Sequence, residues 1–556
     1  MRRWVVSMSC ALGLACSAVP GGGRDVVAIG DPDAGSAGSG AGLGSGGAPS
    51  TSGGSGGGLN IDAGSGGASS DPCDPAQPNT SYVGCEFWPT VTSNGVWDVF
   101  DFAVVVANAG DAPASISIDR AGVPVATGTV QPRGLAKFHL PWVPELKGGQ
   151  GNVCGTLGPA LDSPEVEDGA YHLTSTSAVS VYQFNPLEYA SKGGPTGKDW
   201  SACPGLEPCV TNGNQPVGCF SFTNDASLLL PSNAWTGTYR VMGQKNHKSG
   251  SFVSITAATD GTKVEVKLAA SAKVIAGSAT PETGPGGLVS LDMNGGDVVQ
   301  LVGEVGSDFS GSLVTSNHPV QVLSGVRCTE EPAGTPACDH LEETLLPAET
   351  LGTRYFVTAP TSPLGKVPGH RVRVYGNVDQ TKLSYPSGAP PGAPTVIGAG
   401  QVVDLENVKS DFEIVGSAPF GVGSFMLGGA LQDPPEFAGD EDYRGDPSLS
   451  FMIPVEQFRK TYVFLAPDDY DVSYLDVVMP LDAKLELDGE MLAITPSAIG
   501  GEYGVARVKL GPGNGGAHVL DASEPVGIQV MGYGSYTSYQ YPGGSNLERI
   551  ALPPVK

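Results

Sequence analysis

Apolar residues along the chain recur in short alternating runs, each broken by Gly, Pro, Asp or Asn. A period of two with frequent turn residues predicts half-buried β-strands joined by tight loops, and no stretch carries a convincing helical period. The runs also repeat. Leu229-Leu230-Pro231 is followed by Trp235, Tyr239 and Val241. The same order returns as Leu345-Leu346-Pro347 with Leu351, Tyr355 and Val357, and as Met452-Ile453-Pro454 with Phe458, Tyr462 and Phe464. The spacing from Pro to Tyr is identical in all three. Proline ends the first strand because it has no N–H to give the ladder. The bulky residue four before the tyrosine is expected to plug the turn, and Tyr-x-Val to restart an alternating strand.

A second motif closes each unit: Ser316-Asn317-His318-Pro319-Val320-Gln321-Val322, Gly416-Ser417-Ala418-Pro419-Phe420-Gly421-Val422 and Ala522-Ser523-Glu524-Pro525-Val526-Gly527-Ile528. A copy without proline runs from Ser175 to Val181. A polar turn followed by V-x-V reads as the start of a strand. Between the motifs lie hairpin-like pairs: Phe252–Ala257 leads through Asp260-Gly261-Thr262 to Val264-Glu265-Val266, and Arg371–Tyr375 leads through Asp379-Gln380-Thr381. Tyr474–Met479 leads through Asp482-Ala483-Lys484, and Phe102–Ala107 through Asp111-Ala112-Pro113. The recurring Asp reads as a turn former through its own side-chain bond to backbone, because no second carboxylate recurs beside it to complete a calcium site.

The fold class is therefore all-β: tandem modules of about seven strands, β-sandwich-like, with a β-propeller as the alternative. The units read as 73–222, 223–340, 341–432 and 448–543, with an acidic Pro/Gly linker at 433–447 and a C-terminal tail at 544–556.

Ahead of them, residues 17–72 are mostly Gly, Ser and Ala with almost nothing to bury, the composition of a disordered tether. Its root-mean-square reach is roughly 40 Å for a Gly-rich coil. A nucleophile-elbow spelling within it, Gly53-Gly54-Ser55-Gly56-Gly57, lacks the strand-turn-helix that gives that motif meaning. Met1-Arg2-Arg3 and the apolar stretch Trp4 to Ala15 read as a signal peptide, 1–16, too short to span a bilayer. Leu12-Gly13-Leu14-Ala15-Cys16-Ser17 resembles a lipoprotein cleavage site, which makes Cys16 the candidate lipidation residue and the outer membrane or cell surface the expected location; an ordinary secretory signal is the alternative.

Composition removes several function classes. A net charge of −27 opposes nucleic acid, whose binding needs a basic face. Beyond Cys10 and Cys16 the cysteines are Cys73, Cys85, Cys154, Cys203, Cys209, Cys219, Cys328 and Cys338, an even set in an exported chain and hence disulfide candidates. Proximity suggests Cys73–Cys85, Cys203–Cys209, Cys328–Cys338 and Cys154–Cys219. No CxxC pair favours zinc. The histidines, His139, His172, His247, His318, His340, His370 and His518, are dispersed, so no catalytic, metal or cofactor site is expected. The acidic run Asp433 to Asp442 reads as a solvated loop, and Arg444-Gly445-Asp446 as a chance tripeptide. Tyr533, Tyr536, Tyr539 and Tyr541 read as ordinary strand and turn positions, with a sugar-stacking surface the alternative.

Tyr171-His172-Leu173, Val181-Tyr182-Gln183-Phe184-Asn185-Pro186, the Leu-Leu-Pro…Tyr-x-Val repeats, Pro319-Val320-Gln321-Val322 and Gly445-Asp446-Pro447-Ser448 running into Phe451–Phe464 carry a resemblance. From about Tyr82 to Gly543 the chain resembles the IgGFc-binding protein N-terminal domain family, in the lipoprotein version found in soil bacteria such as myxobacteria. The resemblance implies an extracellular binding or adhesion module. Fc binding is not carried over with it, and no family binding residue transfers to a position here. The expected function is thus a non-enzymatic cell-surface binding or adhesion protein, with a protein or glycan ligand and no membrane contact beyond the lipid anchor. The alternatives are a non-binding structural envelope lipoprotein and a secreted glycan-directed hydrolase. The hydrolase would need paired carboxylates or a nucleophile with its base, and neither stands in a recognisable setting.

Overall fold

Alternation in sequence becomes alternation of burial on one sheet of every unit and continuous burial on the other. In the computed structural model, Thr262–Lys267, Leu288–Met293 and Thr381–Ser384 bury every second residue. Phe102–Asn108, Ser251–Ala257 and His370–Gly376 are buried at every position. Strands covered on both faces lose the alternating pattern. The structure describes residues 72–554 except 155, 159–161, 192, 211–212, 222, 246–247, 435–442 and 512–515. Cys16, the tether and most of the acidic run therefore lie outside the described residues.

Each unit is an antiparallel β-sandwich organised around one long strand that belongs to both sheets. In the second unit this is Leu313–Thr329. Its first part pairs with Thr236–Arg240 and Thr262–Lys267, and its second part with Ser251–Ala257 and Asp339–Thr344. The switch falls at Ser316-Asn317-His318-Pro319. His172–Phe184 and Ala517–Gly534 do the same in the first and fourth units. In the third unit the strand is interrupted into Phe412–Gly416 and Phe420–Met426, giving two separate four-stranded sheets. The second motif is thus a corner where a strand crosses from one sheet to the other. A propeller blade is a single sheet, so this two-sheet construction excludes the propeller alternative.

The hairpin expectation is corrected. Ser251–Ala257 and Thr262–Lys267 are consecutive but do not pair; each lies beside a different part of the long strand, in a different sheet. The equivalent strands of the other three units are arranged alike. Periodicity identifies strands but carries no information about their partners. The recurring Asp does not bond its own turn as expected but reaches a neighbouring loop: Gly295 N–H donates to Asp260 Oδ1 at 3.0 Å and Ala399 N–H to Asp379 Oδ1 at 2.8 Å.

The two motifs meet through the tyrosine. Tyr239 OH donates to the Val320 carbonyl at 2.7 Å and Tyr355 OH to the Phe420 carbonyl at 2.6 Å; Tyr462 OH donates to the Val526 carbonyl. Each acceptor follows the corner proline. Each hydroxyl also accepts the N–H three residues upstream, from Thr236, Gly352 and Arg459 at 3.2, 3.2 and 3.1 Å. Phe87 holds the corresponding register in the first unit, opposite Leu173. Tyr→Phe at any of the three leaves a buried carbonyl and a buried amide short of a partner, and should cost about 1–3 kcal/mol in urea unfolding. A change within a few tenths would remove the corner-lock role.

The four sandwiches close into a ring. The strands that lead into the Leu-Leu-Pro motif, Ala226–Leu229, Asp339–Thr344 and Leu449–Phe451, edge the long strand of the preceding unit, and Thr537–Pro542 takes this place after the fourth. These four strands pack in sequence against one another, the last against the first. The seam between the fourth and first units is sealed beyond residue 543: Asn546 bridges Ser81, and Leu547 N–H donates to the Thr80 carbonyl at 3.0 Å. Continuous burial follows from this arrangement. On Phe102–Asn108, Val104 and Val106 fill their own sandwich, while Ala103 and Val105 pack with Tyr462, Leu475 and Tyr539 of the fourth unit.

Candidate functional site: a buried acidic axis

The four strands at the ring centre bring together carboxylates that the sequence scatters. Asp225, Asp339, Glu342, Glu343 and Asp446 are all buried. Asp225 is a hub: its Oδ1 accepts from Ala226 N–H at 2.9 Å, and its Oδ2 from Glu342 N–H at 3.1 Å and Leu449 N–H at 3.2 Å. One side chain thus ties the central strands of three units. Glu342 accepts from Thr92 Oγ1 and Asn185 Nδ2, both at 2.7 Å, and from Gln183 Nε2 at 3.2 Å, joining the second unit to the first.

The remaining carboxylates are less satisfied. Asp339 Oδ1 accepts from His340 N–H at 2.8 Å and from Asn224 N–H, but Oδ2 has no partner among the described residues. Glu343 Oε2 and both oxygens of Asp446 are likewise unpartnered. The Gly429 amide is close enough to lower the Asp446 carboxyl against the burial that raises it, without hydrogen-bond geometry. Burial pushes Asp225, Asp339, Glu343 and Asp446 well above the usual carboxylate range, and the neighbouring Asp446 raises Asp339 further. None of the four forms an ion pair with lysine or arginine among the described residues. Burying ionised carboxylates without such compensation is costly.

A second grouping lies between the sheet edge and the disulfide-bonded loops of the first unit. Asp101, His139 and Glu188 offer ligand atoms within 4.8 Å of one another. Lys198 Nζ sits among them, 2.6 Å from Asp101 Oδ2 and 3.2 Å from Glu188 Oε1. The ammonium supplies the positive charge that a metal would bring, so this is an ion-paired cluster as it stands. Burial lowers His139 and raises Glu188. Sequence spacing carries no sign of either grouping, because each draws on distant segments that only the ring or the sandwich brings together.

All eight disulfide candidates pair. Cys73–Cys85 and Cys328–Cys338 are the local bridges, but the other two are Cys154–Cys209 and Cys203–Cys219 rather than Cys203–Cys209 and Cys154–Cys219. Short 3₁₀ turns flank Cys203, Trp200–Ala202 before it and Pro204–Leu206 after it, and the second carries the chain away. Gly218 N–H then donates to the Gly205 carbonyl at 2.9 Å, which returns Cys219 alongside Cys203.

The histidines other than His139 take structural partners. His172 lies 2.9 Å from Glu86, His518 2.8 Å from Asp488, and His370 Nδ1 2.7 Å from Ser424 Oγ. His340 is buried beside Thr92 at 3.2 Å, and His318 lies at a sandwich corner, where its carbonyl accepts from Ser316 Oγ at 2.6 Å. His247 is outside the described residues. Asp446 is buried and Arg444 pairs with Asp433 at 2.7 Å, so the Arg-Gly-Asp tripeptide is not presented. Tyr533, Tyr539 and Tyr541 are core residues, which removes the sugar-stacking surface.

Asp476 carries a testable pH dependence at the seam of the third and fourth units. It accepts from Thr361 Oγ1 at 2.6 Å, and burial pushes its carboxyl up to about 6 against the opposing Arg507. The unfolded carboxyl ionises near its ordinary value of 3.8. The stabilising contribution is therefore present in full below about pH 4 and lost as pH rises through about 6, to a total of about 3 kcal/mol. Asp476→Asn should flatten the urea-unfolding stability over that window relative to the wild type. A difference between the two that does not vary with pH would overturn the assignment.

Residues 225–532 match the protein family described as IgGFc binding protein. The match begins at the Asp225 hub and covers more than half of the chain. The chain belongs to the IgGFc-binding protein family. It is 28% identical over 342 residues to the human IgGFc-binding protein, an alignment that covers 60% of this chain and 6% of the human protein. The chain thus spans a small part of that relative's length. No solved structure matches it. The matched family is described by binding, which is consistent with a non-enzymatic function. Membership and four disulfides both agree with an extracellular setting. No helix among the described residues is long and apolar enough to cross a membrane.

Proposed function

We propose that this protein is a cell-surface binding lipoprotein, anchored through Cys16, held away from the membrane by the 17–72 tether, and engaging a protein or glycan ligand through the loops of its four-sandwich ring. The observation that carries this reading is the family match laid over a closed ring whose aromatics are mostly spent on its interior, while most of its carboxylates stay outside the buried core. What such a ring offers a partner is its loops, set on a rigid frame. The net charge of −27 steers cationic surfaces toward it.

The test pairs display with binding. Wild-type protein should partition with membranes and be accessible on intact cells, while Cys16→Ser should appear in the soluble or secreted fraction. The ring, residues 72–556, should bind one partner saturably in arrays of glycans and extracellular proteins that include immunoglobulin Fc. Cys16→Ser that stays membrane-bound would overturn the anchor. Arrays without a saturable partner would favour the structural envelope role instead.

A further inference from the structure

Asp339 and Asp446 approach each other where the second and third central strands meet at one end of the acidic axis. Both residues are at most 1% exposed. Three of their four carboxylate oxygens, Asp339 Oδ2 and Asp446 Oδ1 and Oδ2, have no hydrogen-bond partner among the described residues. A further group points the same way. The Tyr470 hydroxyl, on a residue 7% exposed, is also unpartnered, and Asp339 is its strongest charged neighbour. Tyr470 comes from the fourth unit, so oxygens from three sandwiches converge here. The frame is fixed on each side. Cys338, immediately before Asp339, is bridged to Cys328. Ser538 Oγ accepts the Asp446 N–H at 3.3 Å and donates back to the Asp446 carbonyl.

We propose that Asp339, Asp446 and Tyr470 form a site for a hard divalent cation, calcium by preference, that pins the second, third and fourth sandwiches together at the ring axis. Neighbouring buried carboxyls with no base beside them are neutralised by protons or by a cation between them, and a cation would also engage the three unpartnered oxygens. An all-oxygen set of carboxylates and a hydroxyl suits calcium, which accepts irregular oxygen coordination, better than zinc or copper, which favour nitrogen and sulfur. Magnesium demands a near-octahedral shell and keeps its waters, which a site closed by packed strands does not readily supply.

The experiment uses the full chain, stripped with chelator and then titrated with calcium chloride or terbium chloride. Calcium should raise the melting temperature saturably, and terbium should bind and be displaced by calcium. Tyr470→Phe, which removes one ligand oxygen, should weaken terbium binding at least fivefold. Asp446→Asn should lose the calcium-dependent melting shift and weaken terbium binding at least tenfold. A wild-type chain whose melting temperature ignores calcium would overturn the site, and so would terbium binding of full affinity in Asp446→Asn, which would place the ion elsewhere. Should Asp446→Asn fail to fold, Tyr470→Phe decides the matter: terbium binding of unchanged affinity would take the hydroxyl out of the site and overturn the proposal.

Discussion

Trp235→Ala is expected to lower the stability of the ring by about 3–5 kcal/mol, the cost of deleting a large aromatic from a packed core and leaving a cavity. Trp235 is 1% exposed, and its indole N–H donates to the Leu230 carbonyl at 3.0 Å. It follows the 3₁₀ turn Ser232–Ala234, whose N-cap is the motif proline Pro231. The cluster it fills also contains Tyr82 of the first unit and Tyr462 of the fourth, so the cavity would open where several sandwiches meet. Leu351 and Phe458 hold the same place after their own 3₁₀ turns, and alanine there should cost about 2–5 kcal/mol. Trp235→Phe, which keeps most of the volume and loses the indole hydrogen bond, should cost markedly less. Urea midpoints of the three alanine variants and Trp235→Phe test the plug directly. A loss below about 1 kcal/mol for Trp235→Ala would place it outside the mechanism that holds the turn.

The plug and the corner explain why so much of the fold was legible. Proline at the end of one strand, proline in the middle of another, and a tyrosine at fixed spacing are each dictated by backbone geometry, and each leaves a mark in a single sequence. What the tyrosine touches is another matter. Its partner carbonyl lies about 65 to 80 residues away, from Phe420 for Tyr355 to Val320 for Tyr239. The pairing becomes visible only once both motifs are seen as ends of one lock. Hairpins were read where there are crossings between sheets, because a strand's own alternation is the same whichever neighbour it has. The disulfides divided along the same line. Cys73–Cys85 and Cys328–Cys338 close short loops that proximity predicts, whereas Cys154–Cys209 depends on a path through the 3₁₀ turns.

The acidic axis was illegible for a stronger reason. Asp225, Asp339 and Asp446 stand at or shortly before the start of the strand that runs into a motif proline, and in isolation each looks like a polar residue bounding a strand. Their common feature is a place on the ring, and a ring closed by Ser81 meeting Asn546 has no local signature. Burial then inverts the usual expectation, in which acidic residues at strand ends face water.

Asp225→Ala should be among the most damaging single changes in the chain, with a loss of about 3–6 kcal/mol. Three amides, those of Ala226, Glu342 and Leu449, would lose their acceptor inside the ring, and each buried unsatisfied N–H costs about 1–3 kcal/mol. Removal of a carboxyl that burial already holds in an unfavourable setting offsets part of this. Asp225→Asn separates the two effects. It keeps a carbonyl oxygen for one side of the hub and removes the charge, so it should fall well short of the alanine variant. Hydrogen exchange gives the spatial readout: the Asp225→Ala ring should lose protection at Glu342 and Leu449, on the central strands of the second and third units, while outer strands such as Thr262–Lys267 keep theirs. Uniform loss across all four sandwiches would mean that the hub sets global stability; unchanged protection at Glu342 and Leu449 would mean that Asp225 does not hold the axis at all.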